Sequence, residues 1–236
     1  MRHILIFFIS FFAFAQVSLS QETDETSGVI LLDTIDHKEK FGLRLGVDLS
    51  KPARTLLDDN YSGFEIMGDY RVYKDYYAAV ELGMEEKTTF DDNLTSRGSG
   101  SYIKIGFDYN AHNNWAGLNN MIFGGLRYGI SSFEQELIAY SIATQTPFFP
   151  PNINTEPTLF SDLNVQWLEI IVGVKTEILN NLYLSLNLQL KNRISETKPE
   201  NFDNLYIPGF GRTYLNSQFG AGFGYGISYL IPIVKK

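Results

Sequence analysis

The feature that most limits what this chain can fold into is an alternation of apolar and polar residues with a period of two, recurring in eight segments. In 41–49, Phe41, Leu43, Leu45, Val47 and Leu49 share one face, and Gly42, Arg44, Gly46 and Asp48 share the other. In 182–191, Leu182, Leu184, Leu186, Leu188 and Leu190 oppose Tyr183, Ser185, Asn187, Gln189 and Lys191. The other six segments are 64–72, 76–85, 102–109, 122–130, 167–175 and 219–229. A helix would scatter such a pattern around its circumference, whereas a strand sorts it onto two faces. Each segment runs roughly nine residues or more, longer than the usual five or six of a globular strand and close to what a tilted strand needs to cross a bilayer.

The connections between segments are 50–61, 73–75, 86–100, 111–119, 132–164, 178–181 and 194–216, with long ones alternating with shorter ones. That asymmetry is expected of an outer-membrane barrel with short periplasmic turns and long external loops. The expected fold is therefore all-β: an eight-stranded antiparallel up-and-down transmembrane β-barrel over residues 41–231. A soluble lipocalin-like ligand-binding barrel has the same strand number and alternation but turns its apolar face inward. The polar face argues against it, because it carries many glycines, which weaken a water-exposed strand but make room inside a narrow ring. Glycines on the first and last strands (42, 46, 220, 222, 224, 226) leave space along one seam, which Arg127 and Trp167 are expected to fill. Aromatic residues on the apolar face sit near segment ends: Phe41, Tyr70, Tyr76, Tyr109 and Tyr229 at one rim, and Phe64, Tyr128 and Phe219 at the other. They read as interfacial girdles.

Residues 1–20 have the parts of a secretory signal: a charged start at Arg2, an apolar core from Ile4 to Phe14, and small residues before cleavage after Ala15 or Ser20. Its removal takes one arginine and no acid, changing the net charge from −8 to −9. Residues 21–40 then form a periplasmic N-terminal segment, and the expected location is the outer membrane. The acidic balance disfavours a nucleic-acid partner, which needs a basic face. The chain has no Cys, which excludes a disulfide framework and a lipid-modified cysteine.

Inside the ring the polar face supplies Arg44, Asp48, Glu65, Asp69, Arg71, Glu81, Lys104, Asp108, Arg127, Glu169 and Lys175. Mixed charges in a narrow, poorly hydrated interior must pair, since an unpaired buried charge is costly. A salt-bridged plug is the expected outcome, and an ion or proton path is the alternative. No enzyme, cofactor or metal is expected. The three histidines are His3, His37 and His112, and none falls at the outer rim where a general base would act. No Cys or His pair has zinc-ligand spacing. Asp58, Asp59 and Asn60, then Asp91, Asp92 and Asn93, could offer oxygens to Ca²⁺, although turn chemistry explains them more simply. Expected contacts are outer-membrane lipid and an extracellular ligand or protein met through loops 132–164 and 194–216, by a monomer. These loops hold Pro147, Phe148, Phe149, Pro150 and Pro151, and Tyr206, Ile207, Pro208, Gly209 and Phe210.

In architecture the chain resembles the small eight-stranded outer-membrane proteins of the OmpA and OmpX type. More narrowly, the end of its signal, GGLRYGISSFEQEL (124–137) and YIPGFGRTYLNSQFGAGFGYGISYLIP (206–232) resemble an uncharacterised outer-membrane family of Bacteroidota. The resemblance implies fold and location and carries no functional residues. Unlike better-known barrels, this chain does not end on an aromatic: Pro232 to Lys236 follow Tyr229. The reading is a structural or surface-binding protein, with a narrow transporter and an enzyme without a rim His as alternatives.

Overall fold

A computed structural model describes residues 40–91, 93–112, 119–142, 152–200, 202–214 and 216–235. The expected signal, the segment that follows it through residue 39, and the Pro147–Pro151 run lie outside these residues. The elements in chain order are β1 (Lys40–Asp48), α1 (Ser50–Leu57), β2 (Tyr61–Tyr73), β3 (Tyr76–Asp91), β4 (Leu94–Asn110), β5 (Met121–Ile142), β6 (Asn152–Asn154), β7 (Thr158–Leu179), β8 (Leu182–Glu196), β9 (Tyr206–Ile207), β10 (Gly211–Arg212) and β11 (Phe219–Lys235).

All eight alternating segments are strands, and every neighbouring pair is antiparallel. β1 to β5 pair in sequence, β5 continues to β7, β7 to β8 and β8 to β11; β11 then returns to β1. The sheet thus closes on itself as a ring of eight strands and has no free edge in the ring. β6 is a short addition on β5, and β9 and β10 form a separate small hairpin.

Several expected connections are shorter than the sequence suggested, because the strands continue into them. Residues 86–100 are mostly a hairpin extension: β3 and β4 pair from Tyr76↔Tyr109 to Asp91↔Leu94. β5 and β7 likewise extend into 132–164, as far as Ile142 and from Thr158. Apolar residues no longer alternate in these extensions, so a period-two reading stops too early. Residues 50–57, expected as loop, form α1. It has no side-chain N-cap bond, and Arg54 and Asp58 lie one turn apart, 3.8 Å from each other.

The connections divide by end. One end carries α1, the β3–β4 tip, 152–157 and the described residues that follow β8 up to Gln218, and is called the loop end. The other has the turns at Lys74–Asp75 and Asn180–Asn181, residues 111–112 and 119–120 and the two ends of the closing strand pair, and is called the turn end. Asn181 takes φ 67°, a left-handed conformation that Asn tolerates better than most residues and that suits a two-residue hairpin.

The two faces of the ring are sorted as the alternation requires. Outward residues are apolar and exposed, among them Leu45 at 49%, Ile170 at 54%, Leu186 at 53% and Leu188 at 62%. Inward residues are polar or charged and buried, among them Arg44, Glu65, Lys104 and Glu169. An apolar-in barrel is thereby contradicted. Outward Tyr76 and Tyr109 pack at the turn end with their rings tilted and centroids 5.2 Å apart, on the same rim as exposed Tyr70, Tyr73 and Tyr229. Phe64 and Phe219 are exposed toward the loop end, whereas Tyr128 is half-buried and donates to Gln166 Oε1 at 2.6 Å.

Candidate functional site

Ten of the eleven charged residues expected inside the ring are buried there, and nine of the ten enter ion pairs. Eight join in one sequence of alternating sign. It starts near the turn end, where Arg44 Nε donates to Asp69 Oδ1 at 2.7 Å and the guanidinium lies between the rings of Tyr77 and Tyr183. Asp69 Oδ2 accepts Lys175 Nζ at 2.7 Å, and Lys175 also lies 3.4 Å from Asp108 Oδ2. Asp108 Oδ1 is 2.8 Å from Arg127, whose Nε donates to Glu81 Oε1 at 3.0 Å. Lys104 pairs with Glu81 and sits 3.2 Å from Glu65 Oε2. Every link joins opposite charges, so each desolvated group has a partner that offsets its burial.

The remaining three lie apart from that sequence. Glu169 is fully buried; Trp167 Nε1 donates to its Oε2 at 3.3 Å, Lys191 stands 3.9 Å away, and its Oε1 has no hydrogen-bond partner. Asp48 makes no ion pair among the described residues and accepts the Ser50 amide at 2.6 Å. Arg71 is at the turn end, where its Nε donates to the Lys74 carbonyl. It was expected as an interior charge because β2 alternates, but it lies two residues from the strand's end and reaches the turn instead.

Glycines on neighbouring strands admit the large side chains of this interior. A Cβ on Gly129 would come within 2.2 Å of the Trp167 ring, so that indole fills a gap on β5. Arg127 lies against Gly125. The expectation that these two fill the β1–β11 seam is corrected. Facing the β11 glycines are Phe210 at Gly220, Gln189 and Lys191 at Gly222, Asn187 and Asp48 at Gly224, and Met67 and Ser185 at Gly226. Within the ring, a cavity of about 30 Å³ lies beside Asp69, Glu81 and Lys175, room for about one water molecule.

At the loop end Glu85, which continues the inward alternation of Glu81 and Gly83, collects four donors. They are Lys51 Nζ at 2.5 Å and Tyr61 Oη at 3.0 Å on Oε1, and Tyr206 Oη at 2.8 Å and the Gly209 amide at 3.0 Å on Oε2. Lys51 also lies 4.0 Å from Glu65, linking the mouth to the interior charges. Burial pulls the Lys51 ammonium down, but Glu85 and Glu65 outweigh it and raise it above the ordinary 10.5. Burial and the Glu85 charge push the Tyr206 phenol well above its ordinary value, so it remains a donor. Lys191 Nζ donates to the Gly209 carbonyl at 2.8 Å from the opposite wall.

Residues 206–210 are therefore folded over the mouth, all of them buried. Gly209 has φ 80°, and a Cβ there would fall 2.5 Å from the Tyr102 ring; Gly83 presses on the same ring from β3. Tyr102 donates to Glu65 Oε2 at 2.5 Å. With Phe133, Leu163, Val165, Trp167, Ile207 and Phe210 it forms an apolar layer between the charges and the mouth. The role of Glu85 was missed because the groups it binds lie as far away as 124 residues in sequence.

The acidic turn at 58–60 is committed internally. Asp58 Oδ2 accepts Lys87 at 2.7 Å and Oδ1 accepts the Asn60 amide at 3.1 Å; the Lys87 hydrogen bond lowers the Asp58 carboxyl. Among the described residues there is no group of three or more His, Cys, Asp or Glu placed to hold a metal ion. His112 is at the turn end.

The fold and interior together define an all-β protein whose eight antiparallel strands close around paired charges and whose mouth is covered by its own loop. Residues 3–236 match the model of a family described as a domain of unknown function, DUF6048, and the chain belongs to that family. No curated protein matches the chain.

Proposed function

We propose that this chain is a small outer-membrane β-barrel, without enzymatic activity, that acts structurally or by binding at the cell surface through its loop end. The observation that carries the reading is the outward face: a continuous band of exposed Leu, Ile, Val and Phe around a charged interior. In water such a band far exceeds what a soluble monomer exposes, whereas in lipid it needs no cover. Tyrosines at the turn end fit a headgroup girdle. The apolar run in residues 4–14 supports export.

A narrow ion conduit is the second reading, favoured by the run of charges from Arg44 to Glu65. The 30 Å³ cavity and the buried 206–210 segment weigh against it. The test is impermeant-maleimide labelling on intact cells, in a chain that has no native Cys. Glu156→Cys at the loop end is expected to react and Asn180→Cys at the turn end to be protected. Reversed labelling contradicts the orientation, and recovery of the protein as a soluble periplasmic species contradicts the membrane reading.

A further inference from the structure

The segment over the mouth is held by side chains rather than by the sheet. Its two short strands, β9 and β10, pair only with each other, and among the described residues no backbone–backbone hydrogen bond joins 205–212 to the ring. Three inward side chains hold it, each from a different strand. Glu85 on β3 accepts from Tyr206 and the Gly209 amide, and Gln135 on β5 accepts the Leu205 amide at 3.0 Å. Lys191 on β8 donates to the carbonyls of Gly209 at 2.8 Å and Phe210 at 3.4 Å. Gly209 and Gly211, at φ 80° and 105°, place two glycines at the tip where such a segment bends. The segment is thus able to leave the mouth as a unit without breaking a ladder bond of the ring.

Lys191 stands between two acceptors. Beneath it Glu169 is fully buried, with Oε1 unpartnered and Oε2 taking only the Trp167 indole at 3.3 Å. Arg127, across from Glu169 on β5, and Lys104 are already committed to Asp108, Glu81 and Glu65. Lys191 is across from Glu169 on the other side, on β8, and its Nζ lies 3.9 Å from Oε2, beyond hydrogen-bond distance. A buried carboxylate this short of donors is costly, and one nearby ammonium would relieve it. While the segment is seated, its two carbonyls hold that ammonium. Once it lifts, Lys191 loses both acceptors, and closing the short gap to Glu169 satisfies cation and carboxylate together. Lifting also exposes Ile207 and Phe210, so the seated position is the resting one.

We propose that residues 205–212 are a latch with two positions and that Lys191 is its catch, bonded to the Gly209 and Phe210 carbonyls when the latch is closed and to Glu169 when it is open. Opening bares Ile207 and Phe210 and uncovers Phe133 and Trp167, so the two positions present different surfaces at the loop end. In that consequence the inference rests on the surface-binding reading and supplies its regulation.

The test is hydrogen–deuterium exchange of the full chain in detergent, read by mass spectrometry, comparing peptides over 203–214 with peptides over β8. The latch is expected to exchange ahead of β8, through its own opening. Lys191→Met is expected to speed latch exchange about tenfold or more, the scale of one hydrogen bond to a charged group. Glu169→Gln is expected to slow it about twofold or more, because it removes the charge that draws Lys191 away from the latch. A glutamate that only braces the interior predicts the opposite sign. The double variant is expected to match Lys191→Met, since Glu169 acts on the latch through Lys191. Exchange that Glu169→Gln speeds or leaves unchanged overturns the proposal, as does a latch that exchanges only together with β8. Should Lys191→Met alone fail to fold, the Glu169→Gln arm still decides. Exchange is measured in detergent and labelling of Glu156→Cys on cells, so failure of the catch and failure of the outer-membrane reading are separate results.

Discussion

Arg127 joins two carboxylates at once, Asp108 and Glu81, and removing its guanidinium would leave both short of charge where water has almost no room. Breaking one partner of a buried pair costs about 3–5 kcal/mol. Arg127→Leu is accordingly expected to lower the denaturation temperature in detergent clearly, and Leu186→Ala, on the exposed outer face, to lower it far less. Equal small losses would contradict an ion-paired interior. Lys51 adds a pH dependence. A cation raised in the folded state contributes its full stabilisation below its unfolded value, ordinarily 10.5, and loses it as pH climbs through the folded value. Tyr206, also raised, acts in the same direction. The mouth is expected to stay pinned through neutral pH and to loosen only above about 10.5. Comparing alkaline unfolding of the parent chain with Lys51→Met checks this, and identical curves would contradict the role of Lys51. That Arg44 and Glu81 face inward is legible residue by residue, because a strand allows only two directions; which carboxylate each cation meets is not, because partners arrive from other strands.

At the scale of elements, the eight strands were legible wherever apolar residues alternate and were cut short wherever they do not. β3 and β4 go on pairing through Thr88↔Arg97 and Phe90↔Thr95 after the apolar face has ended. Hydrogen bonding continues there, but it leaves no trace in hydropathy. α1 was missed for a similar reason: SKPARTLL is a short amphipathic helix of about two turns with no buried residue. The 206–210 segment was readable as apolar and loop-bound, but its seat on Glu85 and Tyr102 is a long-range contact. Gly209 is where that element is most exposed to change, since any Cβ there meets both a positive φ and the Tyr102 ring. Gly209→Val is expected to release 205–212 from the mouth. Limited proteolysis should then cut within that segment while the ring keeps its heat-modifiable gel mobility; an uncut segment would contradict the latch.

For the whole molecule, a closed ring of eight strands with a filled interior should not behave as an open pore, which takes roughly 16 or more strands. Purified protein in a planar bilayer is expected to show no stable large-conductance steps. Reproducible steps whose size changes in Glu65→Gln would promote the conduit reading. The central claim is that the outward apolar band lies in lipid hydrocarbon, and it is tested most directly by depth-resolved fluorescence quenching. A fluorophore placed through Leu186→Cys, in protein folded into vesicles, is expected to be quenched by lipids brominated along the acyl chain and to be untouched by aqueous iodide. Quenching by iodide, with no effect of the brominated lipids, would place that face in water and contradict the account.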